Sequence, residues 1–83
     1  MKVRKKLFDL ILNGTSDNNI PFQATCNLLE RLGFKKRVKG SHHIFTKDGI
    51  QRPINLQRRK DGTCKPYQVR QMREFFNLYD LGE

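Results

Sequence analysis

Apolar residues recur at helical spacing twice near the start of the chain. In the middle they give way to alternation, and at the end they return to helical spacing. Val3, Leu7, Leu10 and Ile11, with Lys and Arg between them, predict a short amphipathic helix over residues 3–12. The run Asn13-Gly14-Thr15-Ser16-Asp17-Asn18-Asn19 ends it, because Gly and Asn tolerate the left-handed conformation that stops a helix. Pro21 suits the first turn of a second helix, which carries Phe22, Cys26, Leu29 and Leu32 on one stripe with Leu28 beside it, and Gly33 closes it.

The period then changes. Phe34 to Val38 reads as a short strand, Lys39-Gly40 as a turn and Ser41 to Thr46 as a second strand. Lys47-Asp48-Gly49 holds a hairpin signal, and Ile50 to Leu56 follows as a third strand with Ile50, Ile54 and Leu56 on one face. Pro53 removes one ladder donor, which places this strand at a sheet edge or turns its amide outward. Gln57 to Lys65 reads as a basic loop. Pro66 opens a last helix with Val69, Met72, Phe76 and Tyr79 on one stripe and Phe75 next to it; Gln68, Arg70 and Gln71 are assigned to its polar face. The order α-α-β-β-β-α predicts an α+β fold, a three-stranded antiparallel meander with helices on one face and the other face free.

At 83 residues the chain is expected to form one domain, 1–83, with a leading helix at 1–14 and a core at 20–80. Charge narrows the choice of partner. Seventeen Lys and Arg against eight Asp and Glu give a formal net charge of +9. From Lys35 to Arg73 there are twelve basic residues against Asp48 and Asp61, so the excess sits in the second half. Such a surface draws polyanions, and nucleic acid is the natural ligand. No apolar run reaches the length of a membrane span, and the basic N-terminus is followed by too interrupted a stretch for a secretion signal. Cys26 and Cys64 are therefore read as free thiols of a cytoplasmic protein.

The candidate chemistry lies in Gly40-Ser41-His42-His43-Ile44-Phe45, which holds both histidines of the chain. If Phe45 points to the core, alternation puts His43 and Ser41 on its side and turns His42 and Ile44 to the open face. Adjacent strand histidines point apart and do not share a metal ion, and neither cysteine has a ligand-like spacing from them, so no metal or cofactor is expected. Histidine gives and takes protons near neutral pH. RNA brings its own nucleophile, the 2′-hydroxyl, so an imidazole with cations over the developing charge is enough for strand cleavage.

These residues also resemble a known family. Leu28-Leu29-Glu30-Arg31-Leu32-Gly33-Phe34 leading into Lys39-Gly40-Ser41-His42-His43-Ile44-Phe45 is similar to the HicA toxins of toxin–antitoxin systems. In a longer subgroup of that family the match continues through Ile54-Asn55-Leu56-Gln57 and Lys65-Pro66-Tyr67-Gln68-Val69-Arg70-Gln71. The resemblance implies a double-stranded-RNA-binding-domain-like fold and an mRNA interferase, an endoribonuclease that arrests growth until a HicB-type antitoxin covers it. It also implies that the catalytic histidine is the one directly after Gly-Ser, here His42. The most familiar members carry a Pro-His-containing segment and a Lys-Gly-Thr before the last helix. Here Gln57-Arg58-Arg59-Lys60 and Lys65-Pro66-Tyr67 occupy that region, so RNA contacts are not carried over from those members to this loop.

The combined expectation is a metal-independent mRNA interferase. His42 is the general acid or base, Ser41 orients the site, and Arg37, Lys39, Lys60 and Lys65 hold phosphates. The partners are mRNA and an acidic HicB-type antitoxin over the His42 face. Two other classes fit the fold and charge: a non-catalytic double-stranded RNA-binding module, which needs no histidine on the open face, and an interaction protein whose basic face serves an acidic partner.

Overall fold

The computed structural model describes residues 3–79. Residues 1, 2 and 80–83 of the expected domain range lie outside the described residues, as do the side chains of residues 3–6. Three helices and three strands follow in the order expected: α1 (Val3–Asn13), a short 3-10 turn (Asp17–Asn19), α2 (Phe22–Arg31), β1 (Lys35–Lys39), β2 (His42–Lys47), β3 (Ile50–Gln57) and α3 (Pro66–Leu78). The sheet is an antiparallel meander, β1-β2-β3, and the α+β arrangement is that of the double-stranded-RNA-binding-domain-like fold.

Pro21 stands one residue ahead of α2, where its carbonyl takes the Thr25 hydroxyl at 2.6 Å. Gly33 ends that helix at φ +100°, a backbone state that costs glycine little. The Phe34 amide then reaches the Leu29 carbonyl at 3.0 Å and the Gly33 amide the Glu30 carbonyl at 3.1 Å, the paired bonds of a Schellman stop. That stop turns the chain directly into β1.

The core lies between the helices and one face of β2 and β3. Phe45 stands opposite Ile54 with Leu56 on the same side, all three buried. Phe22, Leu28 and Leu29 of α2 and Val69, Met72 and Phe76 of α3 close over them. α1 joins through Ile11 and through Phe8, whose ring stacks on Phe76 at 4.7 Å. Arg73 fixes that junction by donating Nε–H to the Ile11 carbonyl at 2.8 Å and pairing with Asp17. β1, by contrast, is exposed along its whole length.

Two sequence expectations need correction. Cys64, read as part of the basic loop Gln57 to Lys65, is fully buried. The 58–65 loop folds back along the entry to α2, where the Cys64 amide bonds the Ile20 carbonyl and the Phe22 amide bonds the Gly62 carbonyl, each at 2.9 Å. Gln68, assigned to the polar face of α3, is also buried, because the helix docks with that side against the end of β3.

Candidate active site on the open sheet face

A two-residue turn, Gly40-Ser41, joins β1 to β2, with Lys39 and His42 paired across its base. Gly40 takes φ +61°, the left-handed state that lets so short a turn reverse the chain. Immediately after it, pleating separates the two histidines. His43 lies on the helix side, where its ring meets Phe22 edge-on at 4.9 Å and 85° and its Nδ1 is buried without a partner. His42 is half-exposed on the side that no helix covers.

Around His42 the register builds two rows. Lys39, His42 and Gln57 form one across the three strands, and Arg37, Ile44 and Asn55 form the next. Their side chains share the open face. His42 Nδ1 lies 3.1 Å from Asn55 Oδ1, a diagonal contact between the rows. Lys39 and Arg37 are fully on the surface, and Ser41 at the turn accepts a long bond from Gln57 Nε2 at 3.4 Å.

Gln57 links this face to α3. Its backbone N–H donates to Gln68 Oε1 at 2.7 Å, and Gln68 Nε2 returns to Gln57 Oε1 at 3.2 Å and reaches the Tyr67 hydroxyl at 3.4 Å. The start of α3, including Lys65 at its N-cap, is thereby held at the His42 end of the sheet. Lys60 sits elsewhere, on the exposed 59–62 turn closed by the Gly62 amide and the Arg59 carbonyl at 2.9 Å. The register thus puts Arg37 and Lys39 on the face of His42, Ser41 reaches that face through Gln57, Lys65 lies at the same end, and Lys60 lies on a separate turn.

The remaining reactive side chains play no part in this face. Burial pushes both thiols up, Cys26 and Cys64 alike to about 11, so both stay protonated and poorly nucleophilic at neutral pH. Asp61 is held below its ordinary carboxylate range by hydrogen bonds from Thr63, which shape the loop. Among the described residues no three His, Cys, Asp or Glu side chains converge as metal ligands. A cavity of about 190 Å³ lies at the opposite end of the sheet, lined by Gly33, Lys35, Thr46, Lys47 and Asp48. The His42 face is an open, basic surface, a shape suited to a polymer chain more than to an enclosed small molecule.

Sequence reading missed Asn55, Gln57 and Gln68. The first two carry a weak signal, since their parity in β3 puts them on the face that is not Ile54 and Leu56. Gln68 carries none.

Residues 23–78 match the family model described as HicA toxin of bacterial toxin–antitoxin, a span that runs from the first turn of α2 to the end of α3 and contains every group of the His42 face. A search of curated proteins and a search of solved structures each returned no match. Among the described residues no helix is long and apolar enough to cross a membrane. With the greater part of the chain matched, and with the fold that such a match requires, the protein belongs to the HicA family of toxins from bacterial toxin–antitoxin systems.

Proposed function

We propose that this toxin is a metal-independent mRNA interferase, an endoribonuclease of the cytoplasm, and that His42 carries its chemistry. The observation that carries the reading is the placement of a half-exposed imidazole on an uncovered sheet face, in one row with Lys39 and beside Arg37. An RNA strand laid on that face meets cations for its phosphates and one proton-transfer group for its 2′-hydroxyl. His42 takes the 2′-hydroxyl proton as the oxygen attacks phosphorus. The P–O5′ bond breaks, the leaving oxygen takes a proton from solvent, and the products are a 2′,3′-cyclic phosphate and a 5′-hydroxyl. Arg37 and Lys39 stabilise charge on the phosphoryl oxygens. Ser41, braced by Gln57, sets the turn, and Lys60 and Lys65 extend phosphate binding beyond the sheet end.

The partner that silences such a toxin is a HicB-type antitoxin. An acidic surface over the His42 face neutralises the cations and blocks RNA at once.

The test is cleavage of end-labelled mRNA by purified protein in the presence of EDTA, comparing wild type with His42→Ala. The expected result is wild-type cleavage and none by His42→Ala, with unchanged circular dichroism and retained RNA binding. Cleavage by His42→Ala at the wild-type rate overturns the assignment. RNA binding by the wild type with no cleavage favours the non-catalytic binding module instead.

A further inference from the structure

We infer that Asn55 is a positioning residue. Its side-chain carbonyl holds the His42 ring with the proton on Nδ1, so that Nε2 is the nitrogen presented to RNA. This inference rests on the proposed role of His42 and names the atom that performs it.

The argument begins from the 3.1 Å contact between His42 Nδ1 and Asn55 Oδ1. An amide oxygen only accepts, so the ring nitrogen facing it must donate. The neutral ring therefore carries its proton on Nδ1 and keeps a lone pair on Nε2. A free imidazole side chain prefers the opposite tautomer, so the neighbour reverses an intrinsic bias. The reversal has a use. Nδ1 is engaged by β3 and Nε2 lies at the far side of the ring, away from Asn55, where a 2′-hydroxyl can approach.

The choice of an amide over a carboxylate also has a consequence. When Nε2 takes its proton, Nδ1–H stays a donor and the bond to Asn55 persists without any rotation. An Asp at this place would hold the ring by charge and favour the imidazolium, which is useless as a base. The groups that share the face of His42 are Lys39 and Arg37 from β1 and Gln57 and Asn55 from β3, with the neutral Ser41 hydroxyl bonded to Gln57. The only charges among them are positive. A neutral acceptor therefore fixes the ring without placing a negative charge beside it.

The geometry that allows this is local to the sheet. Asn55 is opposite Ile44, one row along from His42, so a short side chain reaches diagonally to the near nitrogen. Gln57, directly opposite His42, is held by Gln68 and Ser41 and leaves that role to Asn55.

The experiment has two readouts. The first needs no RNA: long-range ¹H–¹⁵N correlation on ¹⁵N-labelled protein, at a pH where His42 is neutral, reports which ring nitrogen carries the proton. Wild type should show His42 protonated on Nδ1, and Asn55→Ala should move the population toward Nε2–H by about fivefold, the equilibrium weight of one such bond. The second is the pH profile of cleavage. Asn55→Ala should lower kcat by about fivefold or more with KM little changed. Asn55→Asp, which keeps the acceptor, should recover rate only at higher pH, with its base limb moved up by about one unit or more.

A merely structural Asn55 would leave both the tautomer and the position of the base limb unchanged. A wild-type His42 found protonated on Nε2, or an Asn55→Ala protein with wild-type tautomer and profile, overturns the inference. These failures are separable from failure of the function itself, which is read by His42→Ala cleaving as well as wild type.

Discussion

Replacing Gln68 with Met keeps the length of the side chain and removes its hydrogen bonds, which makes the energy of the α3–β3 junction measurable. Gln68 is buried, and its Oε1 is the acceptor for the Gln57 backbone N–H at 2.7 Å. That N–H points outward from β3, away from β2, so the variant leaves a donor at a sheet edge facing an apolar side chain. The lost bond and the unsatisfied amide together cost about 1–3 kcal/mol. The bonds from Gln68 Nε2, at 3.2 and 3.4 Å, go to groups that water can reach and add little. Burial of the Met terminus returns about 0.8 kcal/mol. A net loss of about 1.2 kcal/mol corresponds to a fall in Tm of roughly 5–10 °C for a domain of this size. Thermal unfolding followed by circular dichroism reads the loss, and hydrogen exchange at the Gln57 amide locates it. Gln71→Met, at an exposed position of the same helix, is the control and should change stability by less than about 0.5 kcal/mol. A Gln68→Met protein that melts within about 2 °C of wild type, with the Gln57 amide still protected, refutes the reasoning.

Two other predictions concern groups the proposed chemistry does not use. His43→Leu removes the buried, partnerless Nδ1, worth about 1–3 kcal/mol, and gives up the edge contact with Phe22, worth about 0.5–1.5 kcal/mol. The balance raises stability by about 1 kcal/mol in urea titration while RNA cleavage is retained, and a destabilised or inactive variant contradicts the division of roles between the histidines. For the thiols, burial raises the folded values of Cys26 and Cys64 from 9.0 to about 11. Above pH 9 the unfolded chain releases protons that the folded chain keeps, so stability declines as pH rises from about 9 through about 11. Urea midpoints should fall across that window in wild type, less steeply in a Cys26→Ala, Cys64→Ala protein, and an equal slope in both would exclude the thiols as the cause.

The face assignment was legible in the sequence because β2 is covered on one side only. Phe45 had to be inside, and pleating then settled His42 and His43. β1 gave no such help, since all five of its residues are exposed and its composition is Lys-Lys-Arg-Val-Lys. Its reading as Phe34 to Val38 ends one residue short of the observed Lys35–Lys39, with Gly40 marking the reversal. The misread positions, Cys64 and Gln68, owe their burial to contacts from distant segments: the Ile20 carbonyl in one case and the Gln57 backbone in the other. A helical wheel has no means of counting an unpaired strand amide as a reason to bury glutamine.

Asn55 shows where legibility stops within a single hairpin. Lys47 pairs with Ile50 at the Asp48-Gly49 turn, and an unbroken ladder counted back from there would set Phe45 against Arg52 and His42 against Asn55. The irregularity between Phe45 and Lys47 shifts the register by two residues, so Phe45 meets Ile54 and His42 meets Gln57. A shift of two preserves the face of every side chain and changes every partner. Packing supplies the reason: the shift seats Ile54 against Phe45 in the core and carries Arg52 out to the rim, where its guanidinium lies over the Phe75 ring at 5.4 Å. The same slip moves Asn55 from straight across to one row along, within reach of the His42 Nδ1 at a diagonal. Which residues share the open face follows from alternation. Which of them holds the imidazole depends on an apolar contact on the opposite side of the sheet.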